Sequence, residues 1–268
     1  MQRQWNIHRY ISGTGAKAET PKQRRSNTNS SIQIVQKLTA ESATVLAVDI
    51  NEVANEETAS LCSSNPGKVG TIRADITQLA SWQNILSSAL SLGNHRLDVV
   101  VNCAGVVHLA GPSHEMAEDE FDRVFRVNVK PLYLSTKVIV PWWKEHGQKG
   151  LFINLSSISE PRPRPNLVWY ASSKGAVTVA TKGLAAEYAA DGIRYNCIRP
   201  AVGETAMLGR VLGGQDTPEG RKKLLGTIPI GRVCQPADVA NMVCFLASDE
   251  AEYITGAAFD VDGGRGVS

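Results

Sequence analysis

Tyr170 and Lys174 stand four residues apart in the run W-Y-A-S-S-K-G. On a helix that spacing puts both side chains on one face, so an ammonium can lie beside a phenol. A nearby cation favours phenolate over phenol and lowers the tyrosine pKa from its ordinary value of about 10. The product is a general acid/base usable near neutral pH. The same spacing also describes a chance pair on a solvated helix, and the surrounding chain has to decide between the two.

From about residue 43 that chain alternates short β-branched runs with longer helical ones. Strands are expected at 43–49, 68–75, 97–102, 150–156, 193–200 and 257–261, several of them apolar on consecutive positions as in strands buried on both faces. Helices are expected from Ile32 to Ser42, Ser81 to Leu92, Glu118 to His146, Tyr170 to Ala190 and Pro236 to Ala247, with Pro141 bending the third. Alternation at this length predicts an α/β fold with a single-domain, doubly wound parallel sheet and right-handed crossovers. The glycine-rich stretch 203–232 breaks the rhythm after a strand end. Ligands of open α/β sheets bind outside the carboxyl ends of the strands, so this stretch suits a substrate lid or an ordinary surface excursion.

Charge narrows the partners. Of 268 residues, 43% are hydrophobic, enough for a sizeable core, and the net charge is +2. Residues 1–30 hold six Lys/Arg against Glu19 alone, a net +5, which leaves −3 for the remainder. The main body is therefore no nucleic-acid surface, and no apolar run reaches the roughly 18 residues of a membrane span. The basic start reads as a transit peptide, a disordered tail, or a worn first structural unit ahead of a domain at 31–268. Cys62, Cys103, Cys197, Cys234 and Cys244 form no C-x-x-C. They suit reduced thiols in a cytoplasmic protein, with no metal site expected.

Four further motifs, at consistent separations, make the chain resemble the short-chain dehydrogenase/reductase family over roughly residues 32–266. These are N-C-A-G at 102–105, N-L-S-S ending at Ser157, Asn128 in R-V-N-V-K, and I-T-G-A-A-F-D-V-D-G-G near the carboxyl end. The resemblance implies reversible NAD(P)-linked interconversion of a small, fairly apolar ketone or carbonyl compound and its secondary alcohol, with specialised metabolism as one setting. Tyr170 becomes the acid/base. Ser157 hydrogen-bonds the reacting oxygen as charge develops, Lys174 tunes the phenol and holds the nicotinamide ribose, and Asn128 supports a proton-relay water. Asn102, Ala104 and Gly105 line the cofactor cleft, Asp75 neighbours the adenine, and Thr205 meets the carboxamide, with Ala201 standing where the family usually has glycine. Asp49 closes the strand V-L-A-V-D, where a carboxylate accepts from a ribose diol and repels a 2′-phosphate, so NAD is favoured over NADP. A homodimer or homotetramer is the family habit, and Trp142 and Trp143 suit either that interface or the core.

The start departs from the family. Counting back from Asp49, the glycines of the T-G-x-x-x-G-x-G turn fall on Arg25, Asn29 and Ser31, and the first strand falls on A-E-T-P-K-Q, polar and broken by Pro21. The alternative is a looped-out insertion, with Ile7–Ile11 as the strand and S-G-T-G as its turn. Without glycines a backbone nest for the pyrophosphate is hard to form. The competing class is therefore a non-enzymatic binding or scaffold protein that keeps the fold. Two smaller signals stay open. Arg162 and Arg164, in the loop S-E-P-R-P-R-P, select an anionic substrate or belong to a solvated loop, and His108 lines the pocket or lies on the surface.

Overall fold

The structure, a computed structural model, describes residues 9–14 (backbone only), 29–203, 208–214 and 217–268. Among these, seven parallel strands form one sheet in the order β3-β2-β1-β4-β5-β6-β7. They are β1 (Arg9–Thr14), β2 (Thr44–Asp49), β3 (Lys68–Arg73), β4 (Val99–Asn102), β5 (Gly150–Leu155), β6 (Ile193–Pro200) and β7 (Ala258–Val261). The order reverses between β1 and β4, and a crevice opens there at the carboxyl ends.

β1 corrects the A-E-T-P-K-Q placement and supports the looped-out alternative in part: it takes in Arg9, Tyr10 and Ile11 of Ile7–Ile11 and runs on to Thr14. Arg9–Thr14 pairs with β2 on one side (Thr14 opposite Asp49) and β4 on the other. A central strand must donate and accept along both edges, which Pro21 would prevent and R-Y-I-S-G-T permits. Ser12, Gly13 and Thr14 thus belong to the strand and not to a turn.

Helices cover both faces. On one side α1 (Ser30–Ala40) and α9 (Pro236–Ala247) pack Ile34, Val35 and Leu38 with Val239, Val243 and Leu246 over the sheet. α2 (Glu52–Leu61) lies beside α1; Asn51 caps it, and its Asn55 donates 2.9 Å to Ile72 O. Hydrophobic periodicity does not reveal this helix, because the residues it buries, Asn55 and Thr58, are polar. On the other side α3 (Leu79–Leu92) and α5 (Lys130–Glu145) enclose Trp82, Ile85, Trp143 and Phe152. Trp143 is fully buried and donates 2.7 Å to Leu97 O, which settles it as core, while Trp142 stacks on His146.

The expected helix from Glu118 to His146 is two helices, α4 (Glu118–Asn128) and α5, broken at Val129. Pro131, not Pro141, marks the break: it lacks the N–H that a continuous helix needs there, whereas in the first turn of a new helix nothing is lost. Pro141 lies on the exposed side within α5. The remaining α-helices among the described residues are α6 (Val168–Tyr188), α7 (Leu208–Val211) and α8 (Pro218–Leu225), the last two within the 203–232 stretch. Among the described residues no helix is long and apolar enough to cross a membrane, and no three metal-binding side chains cluster.

Candidate active site

A cleft of about 890 Å³ opens at the strand carboxyl ends and runs from the start of α1 to the loop before α6. Its catalytic candidates come from three elements. Ser157 follows β5, Tyr170 and Lys174 lie one turn apart at the start of α6, and Asn128 ends α4. Buried hydroxyls fix α6 against β5: Ser156 Oγ donates 2.8 Å to Lys174 O, and Thr178 Oγ1 donates 3.0 Å to Ser156 Oγ. Lys174 Nζ, nearly inaccessible, donates 2.8 Å to Leu155 O. That register brings the Tyr170 hydroxyl beside Ser157, near enough for the serine hydroxyl to favour the phenolate, and Ser157 Oγ accepts 3.1 Å from Ser159 N.

Electrostatics correct one expectation. The Tyr170 pKa is raised, not lowered, because burial disfavours phenolate more than the Ser157 hydroxyl favours it. The ammonium of Lys174 is 6.0 Å from the ring centroid, too remote to reverse this by itself. Burial also pulls Lys174 down from 10.5 to about 8, with only minor opposition from Cys103 and Cys197. At neutral pH the site therefore holds a phenol beside an ammonium close to losing its proton.

Asn128 clamps the loop after β4. Its Oδ1 accepts 2.7 Å from Val106 N, and its Nδ2 donates 2.9 Å to Val106 O and 2.9 Å to Ser173 Oγ. Its amide hydrogens are committed to protein partners, so the side chain fixes geometry. Gly105 lies beneath this clamp, where a Cβ would come 3.1 Å from Lys174 Nζ and 3.4 Å from Asn128 Oδ1.

The remaining expected residues divide. Cys103, Ala104 and Gly105 line the cleft, Cys103 only half-buried, unlike the other four thiols. Asn102 does not line it. Its Nδ2 donates 2.8 Å to Asn154 Oδ1 and 3.2 Å to Ser135 Oγ, so it ties β4 to β5 and α5 beneath the site. Asp49, at the end of β2, is buried and accepts 2.7 Å from Asn51 N. Burial lifts its pKa from 3.8 to about 6 against the opposing hydrogen bonds from Asn51 and Ile50. Asp75 is half-buried and accepts 2.9 Å from Thr77 N. Thr205, like Arg25, lies outside the described residues. His108 is buried, with Nδ1 2.8 Å from Leu109 O and Nε2 without a partner among the described residues.

Comparison with known proteins identifies the family. A family model described as enoyl-(acyl carrier protein) reductase matches residues 28–265. The chain belongs to the short-chain dehydrogenase/reductase family. It is 40% identical over 235 residues to the 4-formylbenzenesulfonate dehydrogenase TsaC1/TsaC2 of Comamonas testosteroni, covering 87% of this chain and 92% of that one. A cyclopentanol dehydrogenase of the same organism is 36% identical over 228 residues, 85% of this chain and 88% of that one. Among solved structures, the 3-ketoacyl-(acyl-carrier-protein) reductase of Brucella melitensis complexed with NADH superposes with a TM-score of 0.83 at 31% identity, covering 99% and 100% of the two chains.

In this short-chain dehydrogenase/reductase, two of the positions counted as glycines begin α1. Asn29 is the N-cap, its side chain accepting 3.3 Å from Ser31 N. Ser31 is buried at the edge of the cleft, its Oγ without a partner among the described residues. The sequence reading assigned no role to Ser156, Thr178, Cys103 or Arg265. The first two lie in or beside motifs already recognised, but nothing in the linear order joins Arg265, in the closing turn, to a cleft built from residues around 105 and 170.

Proposed function

We propose that this protein is an NAD-linked oxidoreductase interconverting a carbonyl compound and its alcohol. The observation that carries the reading is the pairing of Tyr170 with Ser157 in the wall of a large cleft, beside a buried lysine. When bound, the nicotinamide supplies the hydride acceptor for oxidation and the donor for reduction. In reduction Tyr170 gives its proton to the substrate oxygen, and in oxidation it takes that proton. Ser157 hydrogen-bonds the same oxygen while it carries alkoxide-like charge. Lys174 spends one N–H on Leu155 O, leaving two for the nicotinamide ribose and for proton return.

The cofactor's fit is supported at several points. Asp49 suits the adenosine ribose diol, with Asp75 nearer the adenine and the backbone of Ala104 and Gly105 along the cleft wall. Thr205 is proposed at the carboxamide. The orphaned Ser31 hydroxyl at the start of α1 suits a phosphate oxygen, which helix N-termini favour. Among the relatives' names are both a sulfonated aldehyde and a neutral cyclic alcohol, so the class of reaction is better supported than any one substrate. The 203–232 stretch is proposed as the substrate lid, and self-association as a homodimer or homotetramer.

One observation favours a second reading, a relative that binds no dinucleotide: the Asn29 side chain occupies the Ser31 N–H that a phosphate would otherwise use. Titration with NADH, followed by tryptophan fluorescence, separates the two. Saturable binding together with Tyr170→Phe losing turnover by roughly 10²–10⁴-fold, its NADH affinity kept, supports the enzyme. Absence of NADH binding would sink it.

A further inference from the structure

Arg164 and Arg265 are 101 residues apart in sequence and line the same cleft as Ser157 and Tyr170. Two devices bring them there. Arg164 lies between Pro163 and Pro165, whose rings restrict the backbone on both sides, and it donates one hydrogen bond to Val211 O of α7. Arg265 follows a turn in which Gly263 and Gly264 both have positive φ (63° and 85°) and Asp262 accepts from the backbone of Gly264. Residues without a side chain adopt that conformation without strain, so the chain doubles back from β7 over the cleft.

Neither arginine has a carboxylate within ion-pair distance among the described residues. Arg199, on β6 opposite Asp260 of β7, shows the contrast: Glu160 lies 2.9 Å and Asp260 2.6 Å from its guanidinium. The fold thus neutralises the arginine that holds β6 to β7, whereas Arg164 and Arg265, two of the five arginines lining the cleft, have no such partner among the described residues. Burial disfavours charge on both, and at Arg265 the neighbouring Arg164 and Arg162 add repulsion that Asp262 only partly offsets. Guanidinium groups stay protonated regardless, so the cost persists until an anion arrives. Leu167, Leu208 and Val211 supply apolar wall beside them.

We propose that Arg164 and Arg265 form an anion-binding subsite, and that the preferred substrate is an alcohol or carbonyl compound with an apolar body and a carboxylate or sulfonate group. This rests on the oxidoreductase reading above and specifies its substrate class. The guanidinium fork matches either oxyanion with paired N–H donors.

The test compares NADH-dependent reduction of para-carboxybenzaldehyde, para-sulfobenzaldehyde and neutral para-methylbenzaldehyde. The wild type is expected to favour an anionic aldehyde in kcat/KM by on the order of tenfold or more, through KM, with the preference shrinking as sodium chloride is added. The ratio between the two anionic substrates distinguishes carboxylate from sulfonate. Arg164→Gln and, separately, Arg265→Gln should each lower the anionic-to-neutral ratio by about tenfold. Because the salt dependence needs no variant, a misfolded mutant does not blunt the test. Equal kcat/KM for charged and neutral aldehydes, insensitive to salt, overturns the subsite and leaves the oxidoreductase standing. If no aldehyde is reduced, calorimetric titration of the protein with benzoate decides: binding weakened by Arg164→Gln sustains the subsite while the oxidoreductase reading falls, and no binding overturns the subsite as well.

Discussion

At the scale of the residue, two buried ionisable groups carry predictions of opposite sign. Lys174 has a folded pKa of about 8 against 10.5 unfolded. Burying its charge costs stability below pH 8, and the cost fades as pH rises from about 8 to 10.5, where the unfolded chain alone still binds the proton. A Lys174→Met variant should therefore lose turnover, and its Tm relative to wild type should fall as pH is raised through that window, measured by thermal denaturation. Asp49 lies the other way, at about 6 against 3.8. Its protonated form is favoured in the folded protein, so its contribution to stability is lost as pH rises from 3.8 to about 6. A ribose diol needs the carboxylate as acceptor, so NADH affinity should weaken as pH drops through about 6. The Asp49→Asn variant should bind NADH more weakly at neutral pH and lose that dependence. Tyr170 explains why the lysine alone does not activate the phenol: a charge 6.0 Å from the ring centroid competes with desolvation of the whole side chain.

At the scale of the element, the proposed catalytic residues are held by polar contacts between helix ends and strand ends. The α4–α5 break leaves Asn128 at a helix terminus, where its amide serves both backbone groups of Val106. Asn128→Ala should leave those groups without their partner, at a cost of about 1–3 kcal/mol in denaturant unfolding. It should also lower kcat by loosening the Cys103–Val107 segment against Lys174, and a variant as stable and as active as wild type would remove Asn128 from the site. The Ser156–Thr178–Lys174 contacts set α6 by hydrogen bonds rather than by apolar fit alone. Such register control is invisible to periodicity, because serine and threonine read as neutral in both helices and strands.

At the scale of the molecule, β1 is the member on which the sheet depends. It joins β2–β3 to β4–β7, so a chain beginning at Gly15 loses the ladder between the halves. That truncation is expected to aggregate or to lose near-ultraviolet circular dichroism, and a folded, NADH-binding product would refute the assignment of β1. The sequence by itself determined the α/β class, the boundaries of β2, β5, β6 and α9 to within a residue or so, and the order of Asn128, Ser157, Tyr170 and Lys174. Those features are local: consecutive apolar runs, proline at a helix start, and fixed motif spacing. The tertiary structure alone chose between the two candidate first strands and fixed R-Y-I-S-G-T as the central one, since its partners lie more than thirty and more than eighty residues onward. It decided too that Asn102 faces inward, that Tyr170 is raised by burial, and that Arg265 meets Arg164 at the cleft. Each of these depends on which groups the fold removes from water and which it brings together, and neither is encoded in neighbouring positions along the chain.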